Sequence, residues 1–238
     1  MAHWEESKAM RRTAILAAAR ELMNAQDGVS FSMRKLAQMA DVSVATPYNL
    51  FGSKQAILLA LLKEDTRRLE TYLEDKVSDE LEAFFTASAV MSFVYEQHPA
   101  YHRNLLSAAF QNGGPDTRRE MGASAVQLWR KLLEEAIEAG YLTGDVSPRV
   151  FAVTFGELLL INIQIWAHGL ISIEEMKARN QFGASLLLLG GATKKGRERL
   201  IPYRVEAELA LETYWDAAPG EDRDVPEGKK SGSISSVH

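Results

Sequence analysis

An all-α fold follows from three features of the sequence. Apolar residues recur at helical spacing through most of its 238 residues, serines stand where helices should start, and no stretch alternates apolar and polar residues between turn signals. Hydrophobic residues make up 46% and charged ones 25%, an ordinary globular balance. There is no cysteine, which excludes a disulfide framework and a thiolate metal site.

The elements are expected as follows. Met10 to Ala25 carries Ile15, Ala18, Ala19, Leu22 and Met23 on one side of a helix, with Gly28 in the C-cap region. Phe31, Ser32 and Leu36 fit N′, N-cap and N4 of a short helix ending at Ala40, joined by a hydrophobic staple. "DVS" makes a three-residue turn. Ser43 then caps a helix to about Leu50, and Ser53 caps a long one from Lys54 to about Val77. Helices are expected over 79–97, stopping at Pro99, and over 101–111. "NGGPD" is a loop by its Gly and Pro content, and 116–139 is a helix closed by Gly140. Residues 148–169 and 172–189 form a consecutive pair, and a last helix covers about 197–216. The segment 217–238 is nearly devoid of apolar residues and is expected to be a disordered tail.

Net charge is −5, unevenly spread: residues 1–55 hold 7 Lys and Arg against 5 Asp and Glu, and the rest hold 20 against 27. A weakly basic head on an acidic body suits contact with a polyanion at one end, and it argues against a nonspecific nucleic-acid coat. "MAHWEESKAMRR" is too polar for a signal peptide. The apolar stretch Val150–Leu170 is broken by Glu157, Asn162, Gln164 and His168, so no membrane span and a cytoplasmic location are expected.

Two short helices joined by a three-residue turn outline a helix-turn-helix. Ala37 and Ala40 are small enough for close packing, and Asp41 is one of the few residues that accept a left-handed conformation. The second helix presents Val44, Ala45, Thr46, Tyr48 and Asn49, groups suited to base edges, thymine methyls and phosphates, and turns Val42, Pro47 and Phe51 to the core. With Ser43 as N-cap, Pro47 is N4 and only the first intrahelical hydrogen bond is lost. Arg34, Lys35 and Lys54 sit in first turns, where the helix dipole disfavours cations. The misfit disappears if the helix N-termini face DNA phosphates, so that amides and cations converge on one anion. Solvated surface charge is the plainer explanation for each cation taken alone.

The segment "SMRKLAQMADVSVATPYNLFGSK" resembles the N-terminal domain of the TetR family of bacterial transcription regulators. Ser32, Arg34, Leu36, Ala37, Ala40, Val42, Ser43, Tyr48, Phe51 and Lys54 fall in register with that family's pattern. Asp41 replaces the usual glycine, Leu50 a frequent histidine, and Val44 stands where a basic residue is common. The resemblance is strong over residues 10–60 and extends beyond them only as an all-helical layout. It implies backbone contacts to double-stranded DNA from Ser32, Arg34, Tyr48 and Lys54, and groove contacts from Ala45, Thr46 and Asn49. It also implies a ligand-binding and dimerisation domain whose last two long helices pair with their copies, and release of an operator when a small molecule binds. The expected division is 1–55 for DNA binding and 56–216 for ligand and dimer.

The larger segment is rich in aromatic and Met residues. As single residues these suit a packed core. As a set, Phe84, Met91, Tyr95, Phe110, Trp129, Phe155 and Trp166 suit the lining of a site for a mostly apolar small molecule. Glu157, Ile161, Gln164 and His168 share one face of an apolar helix, either a partly solvated homodimer seam or a pocket wall. His98 and His102 have Pro99 between them and no carboxylate at ligand spacing, so no metal is expected. No nucleophile–base pair, phosphate loop or cofactor motif points to an enzyme. The rival from another class is a carrier or enzyme with a vestigial helix-turn-helix, which would have no use for cations at 34, 35 and 54.

Overall fold

The computed structural model describes residues 2–25, 31–77, 79–111 and 115–216. Among them are ten helices and a single isolated bridge, Leu142 to Ala192. The expected C-cap glycine Gly28, the centre of the "NGGPD" loop and the tail 217–238 lie outside the described residues.

Helix α1 spans Ala2–Asn24, starting well before Met10. Its first part is made of good helix formers with no stop signal, although it buries little. From Ile15 onward the inward face is that expected, with Ile15, Leu16, Ala19, Leu22 and Met23 buried. α2 (Met33–Met39) and α3 (Ala45–Phe51) are the two short helices, and α4 (Lys54–Lys76) is the long one that follows.

α5 is Glu82–Gln97, three residues shorter at its start than expected, because Asp79 caps it: Oδ1 accepts the amides of Leu81 (3.1 Å) and Glu82 (2.8 Å). Pro99 opens α6 (Pro99–Gln111) where a spacer was expected, since a proline in a first turn forfeits no intrahelical bond. α7 (Pro115–Glu138) ends in a Schellman pattern: Gly140 has φ 75, its amide donates to Ile137, and that of Tyr141 donates to Ala136. Gly169 (φ 73) closes α8 (Pro148–Ala167) in the same way. Ser147 and Ser172 cap α8 and α9 (Ile173–Leu189). α10 (Lys194–Asp216) begins three residues before 197, with the Thr193 hydroxyl accepting the Gly196 amide over 3.1 Å.

α8 is long and apolar enough to cross a membrane. One side of it lies in the core, with Phe151, Phe155, Leu159, Ile163 and Trp166 buried.

The buried residues form two clusters. One joins α1 and α2 to Ile57, Leu58 and Leu61 of α4 and to Tyr101, Leu105 and Ala108 of α6. The other holds α5, α7, α8, α9, Leu106 of α6, Leu200 of α10 and the far end of α4 at Leu73. α4 and α6 therefore belong to both. Polar bonds reinforce the joint: Arg20 pairs with Glu64 (2.6 Å) and Asp65 (3.5 Å), and the Tyr101 hydroxyl donates to Asp65 (3.3 Å). The Asn104 amide donates to the Met23 carbonyl (2.8 Å), satisfying an orphan acceptor at the end of α1.

Candidate nucleic-acid interface

The N-terminal helices converge through local sequence signals. Ser32 has extended backbone and accepts the Lys35 amide over 3.1 Å, and Phe31 and Leu36 are both buried as a staple requires. Arg34 and Lys35 are exposed in this first turn, which holds no acidic residue. Asp41 takes φ 50 in the turn that follows, the left-handed conformation its short polar side chain tolerates.

The start of α3 differs from expectation. Val44, with αR backbone, is its N-cap and makes no side-chain cap bond. The Ser43 hydroxyl instead lies 2.8 Å from that of Thr46, and its carbonyl accepts the Thr46 amide. Pro47 thus moves from N4 to N3, one of the positions whose amide has no intrahelical partner, and it costs no helix bond. It is buried, while Val42 and Phe51 are half-buried.

The outward face of α3 carries Val44, Ala45, Tyr48 and Asn49, with Val44 at 48% and Tyr48 at 49% exposure. Thr46 is half-buried and its hydroxyl is engaged by Ser43. Gly52 (φ 82) then turns the chain, and Ser53 caps α4 by accepting the Ala56 amide over 3.1 Å. Lys54 is half-buried, with Nζ 4.5 Å from the Phe31 ring centre, and burial lowers its pKa. The Lys54–Phe31 contact therefore brings the N-terminus of α4 against the start of α2.

Arg12 and Asn104 escaped the sequence reading. Arg12 Nη1 donates to the Leu50 carbonyl over 2.6 Å, and its guanidinium lies 4.1 Å from the Phe51 ring centre. Their partners lie 38 and about 80 residues away in the chain, so no local pattern announces them.

The aromatic residues of the larger body pack on one another. Phe84 lies 6.0 Å from Trp129 and 6.2 Å from Phe155, Trp129 meets Phe155 edge-on at 4.8 Å, and Tyr95 stacks on Trp166 at 5.4 Å. Met91 is half-buried at the edge of this core, and the Phe110 side chain lies outside those described. A cavity of about 460 Å³ opens beside this layer, between α4, α5 and α7. Leu73, Ala83, Leu128 and Leu132 form its apolar wall, and Glu70, Glu74, Glu80, Glu135 and Lys131 its polar one. None of the seven expected ligand residues lines it, although Phe84 and Trp129 follow directly on Ala83 and Leu128.

On α8, Glu157 and Ile161 are exposed and Gln164 is half-buried, and the C-cap His168 is exposed, so this face points away from the protomer's core. His98 is exposed and His102 buried.

Two short helices joined by a left-handed turn, the first capped by Ser32 and the second exposed, with flanking first-turn cations, define a helix-turn-helix DNA-binding protein. Residues 15–61 match the sequence family described as bacterial regulatory proteins, tetR family. No curated protein matches the chain in sequence. A TetR transcriptional regulator from Rhodococcus sp. RHA1 has the same fold at TM-score 0.64 and 17% identity, over 77% of this chain and 98% of that one. RolR in complex with resorcinol superposes at TM-score 0.63 and 15% identity, over 87% and 95%. Thermus thermophilus FadR, a TetR-family repressor in complex with lauroyl-CoA, does so at 0.58 and 23%, over 77% and 96%. The N-terminal domain is that of the TetR family of bacterial transcription regulators, carried on a TetR-like all-α fold.

Proposed function

We propose that the protein is a homodimeric, cytoplasmic repressor that releases a palindromic operator when it binds a mostly apolar small molecule. The observation that carries this reading is the junction at Phe31, where Lys54 and the capped start of α4 meet the capped start of α2, while α3 leaves Val44, Ala45, Tyr48 and Asn49 exposed. Ser32, Arg34, Tyr48 and Lys54 hold phosphates, and Val44, Ala45 and Asn49 meet the groove. Thr46 reaches a base edge only by giving up its bond to Ser43. Residues 1–55 form the DNA-binding unit and 56–216 the ligand and dimer unit.

The lauroyl-CoA and resorcinol held by FadR and RolR support a ligand role for the larger unit. The proposed ligand site is the aromatic layer of Phe84, Met91, Tyr95, Trp129, Phe155 and Trp166, with Phe110 on the adjoining helix; its rings must part to admit a ligand, and the cavity at Ala83 and Leu128 lies next in the chain to Phe84 and Trp129. Val150, Val153 and Ile161 on α8 and Leu186 on α9 are exposed apolar groups suited to a second copy.

The test is selection of duplexes from a random pool, followed by affinity measurement across salt. A selected duplex bound about a thousandfold tighter than random sequence is expected. Equal affinity for all duplexes, or none, would overturn the reading in favour of a carrier with a vestigial helix-turn-helix. Sedimentation of a monomer at micromolar concentration would remove the dimer.

A further inference from the structure

α3 has seven residues, too few to hold a helical conformation alone. Pro47 is its only fully buried residue among those described, its N-cap makes no side-chain bond, and its last turn has no basic residue of its own. Its C-terminal end is met from α1. The Arg12 guanidinium donates to the Leu50 carbonyl and covers the Phe51 ring, which places a cation at the negative end of the α3 dipole. Phe51 in turn packs on the N-terminal core, so one half-buried side chain ties the end of α3 to α1 and to that core.

We propose that Arg12 is a positioning residue for the recognition helix: it sets how far the C-terminal end of α3 stands from the core, and thereby the register of Tyr48 and Asn49 on DNA. This rests on α3 being the groove element. Arg12 acts through α3, so its loss disturbs sequence reading and leaves the electrostatic attraction to phosphates intact. Arg11, its exposed neighbour with the same charge, is the natural control.

The experiment uses the full chain, as wild type, Arg12→Ala, Arg12→Lys and Arg11→Ala. It measures affinity across salt for a duplex selected from a random pool by the wild type and for a random duplex, and amide exchange by mass spectrometry. For Arg12→Ala, affinity for the selected duplex is expected to fall about tenfold, the worth of a charge-assisted hydrogen bond. Affinity for the random duplex and the salt slope should stay unchanged. Exchange should quicken over residues 48–52 and stay unchanged over 15–23. Arg12→Lys reaches a carbonyl but cannot fork and stack together, so it should recover only part of the loss, and it carries the test if Arg12→Ala does not fold.

An equal loss on both duplexes, with a salt slope lowered by about one and full recovery by lysine, would make Arg12 a phosphate contact and overturn the proposal. Unchanged exchange in α3, or an equal effect from Arg11→Ala, would overturn it too. If the wild type selects no duplex, the proposed function fails, and exchange over 48–52 alone decides the role of Arg12.

Discussion

Lys54 Nζ lies 4.5 Å from the centre of the Phe31 ring, so the first residue of α4 rests on the residue that opens α2. Two effects compete in this first turn. The cation opposes the helix dipole, and it gains attraction from the ring face, about 0.5–1 kcal/mol at a partly exposed site. The two are of similar size, so Lys54→Ala is expected to change stability by no more than about 0.5 kcal/mol, where the dipole alone would predict a clear gain. Its affinity should fall about equally for selected and random duplexes, with the salt slope lowered by about one per half-site. Chemical denaturation and salt titration check the two halves; an unchanged salt slope would leave Lys54 as a brace only.

Asp41 holds φ 50 without being glycine. Asp41→Gly relieves residual crowding in the turn and should be neutral or stabilise by a few tenths of a kcal/mol. Asp41→Val puts a β-branched side chain in the left-handed region and should cost about 1–2 kcal/mol. Thermal melts of the two variants check this, and equal melting temperatures would mean that the turn relaxes.

What could be read in the sequence was what is decided locally. Ser32 and Ser53 each cap the helix expected of them because a cap needs only its own next turn. Asp41 could be read for the same reason. Ser43 misled: its hydroxyl had two partners within reach, and it took the Thr46 side chain over a cap bond. Arg12 was illegible because its partner is 38 residues away. The aromatic residues were legible as apolar, but whether rings close on each other or around a ligand depends on the spacing of α5, α7 and α8. Periodicity carries no information about that spacing.

Asn162 and Asn180 form a buried pair between α8 and α9. Asn162 Nδ2 donates to Asn180 Oδ1 over 2.8 Å, while Asn180 Nδ2 has no partner among the described residues. Replacing one member strands the other's amide, so Asn162→Leu or Asn180→Leu alone should cost about 1–3 kcal/mol. The double Leu variant removes every polar group and should cost much less than the sum. A double-mutant cycle in urea measures the coupling, and additive losses would show that the pair is already relaxed by solvent.

His102 gives stability a pH dependence of known sign. It is 3% exposed, between the rings of Tyr95 (4.6 Å) and Tyr101 (4.7 Å). Burial, with smaller contributions from His98 and Arg20, pushes its pKa down from 6.5 to about 4. The folded protein therefore keeps His102 neutral where the unfolded chain protonates it. The associated stability is complete above pH 6.5 and is lost as pH falls from 6.5 toward 4, by roughly 2–4 kcal/mol in total. Asp65 is linked to the same site through the Tyr101 hydroxyl, and burial raises its carboxyl despite the opposing pull of Arg20. That raised carboxyl favours the folded state on acidification, the opposite sign. His102→Phe keeps a ring between the tyrosines and leaves Asp65 in place, so the difference between the two proteins isolates the histidine. Urea unfolding at steps from pH 7.5 to 4.5 should show wild type losing stability relative to His102→Phe below pH 6.5. Parallel curves for the two proteins would mean that His102 takes up its proton in the folded state as readily as in the unfolded one.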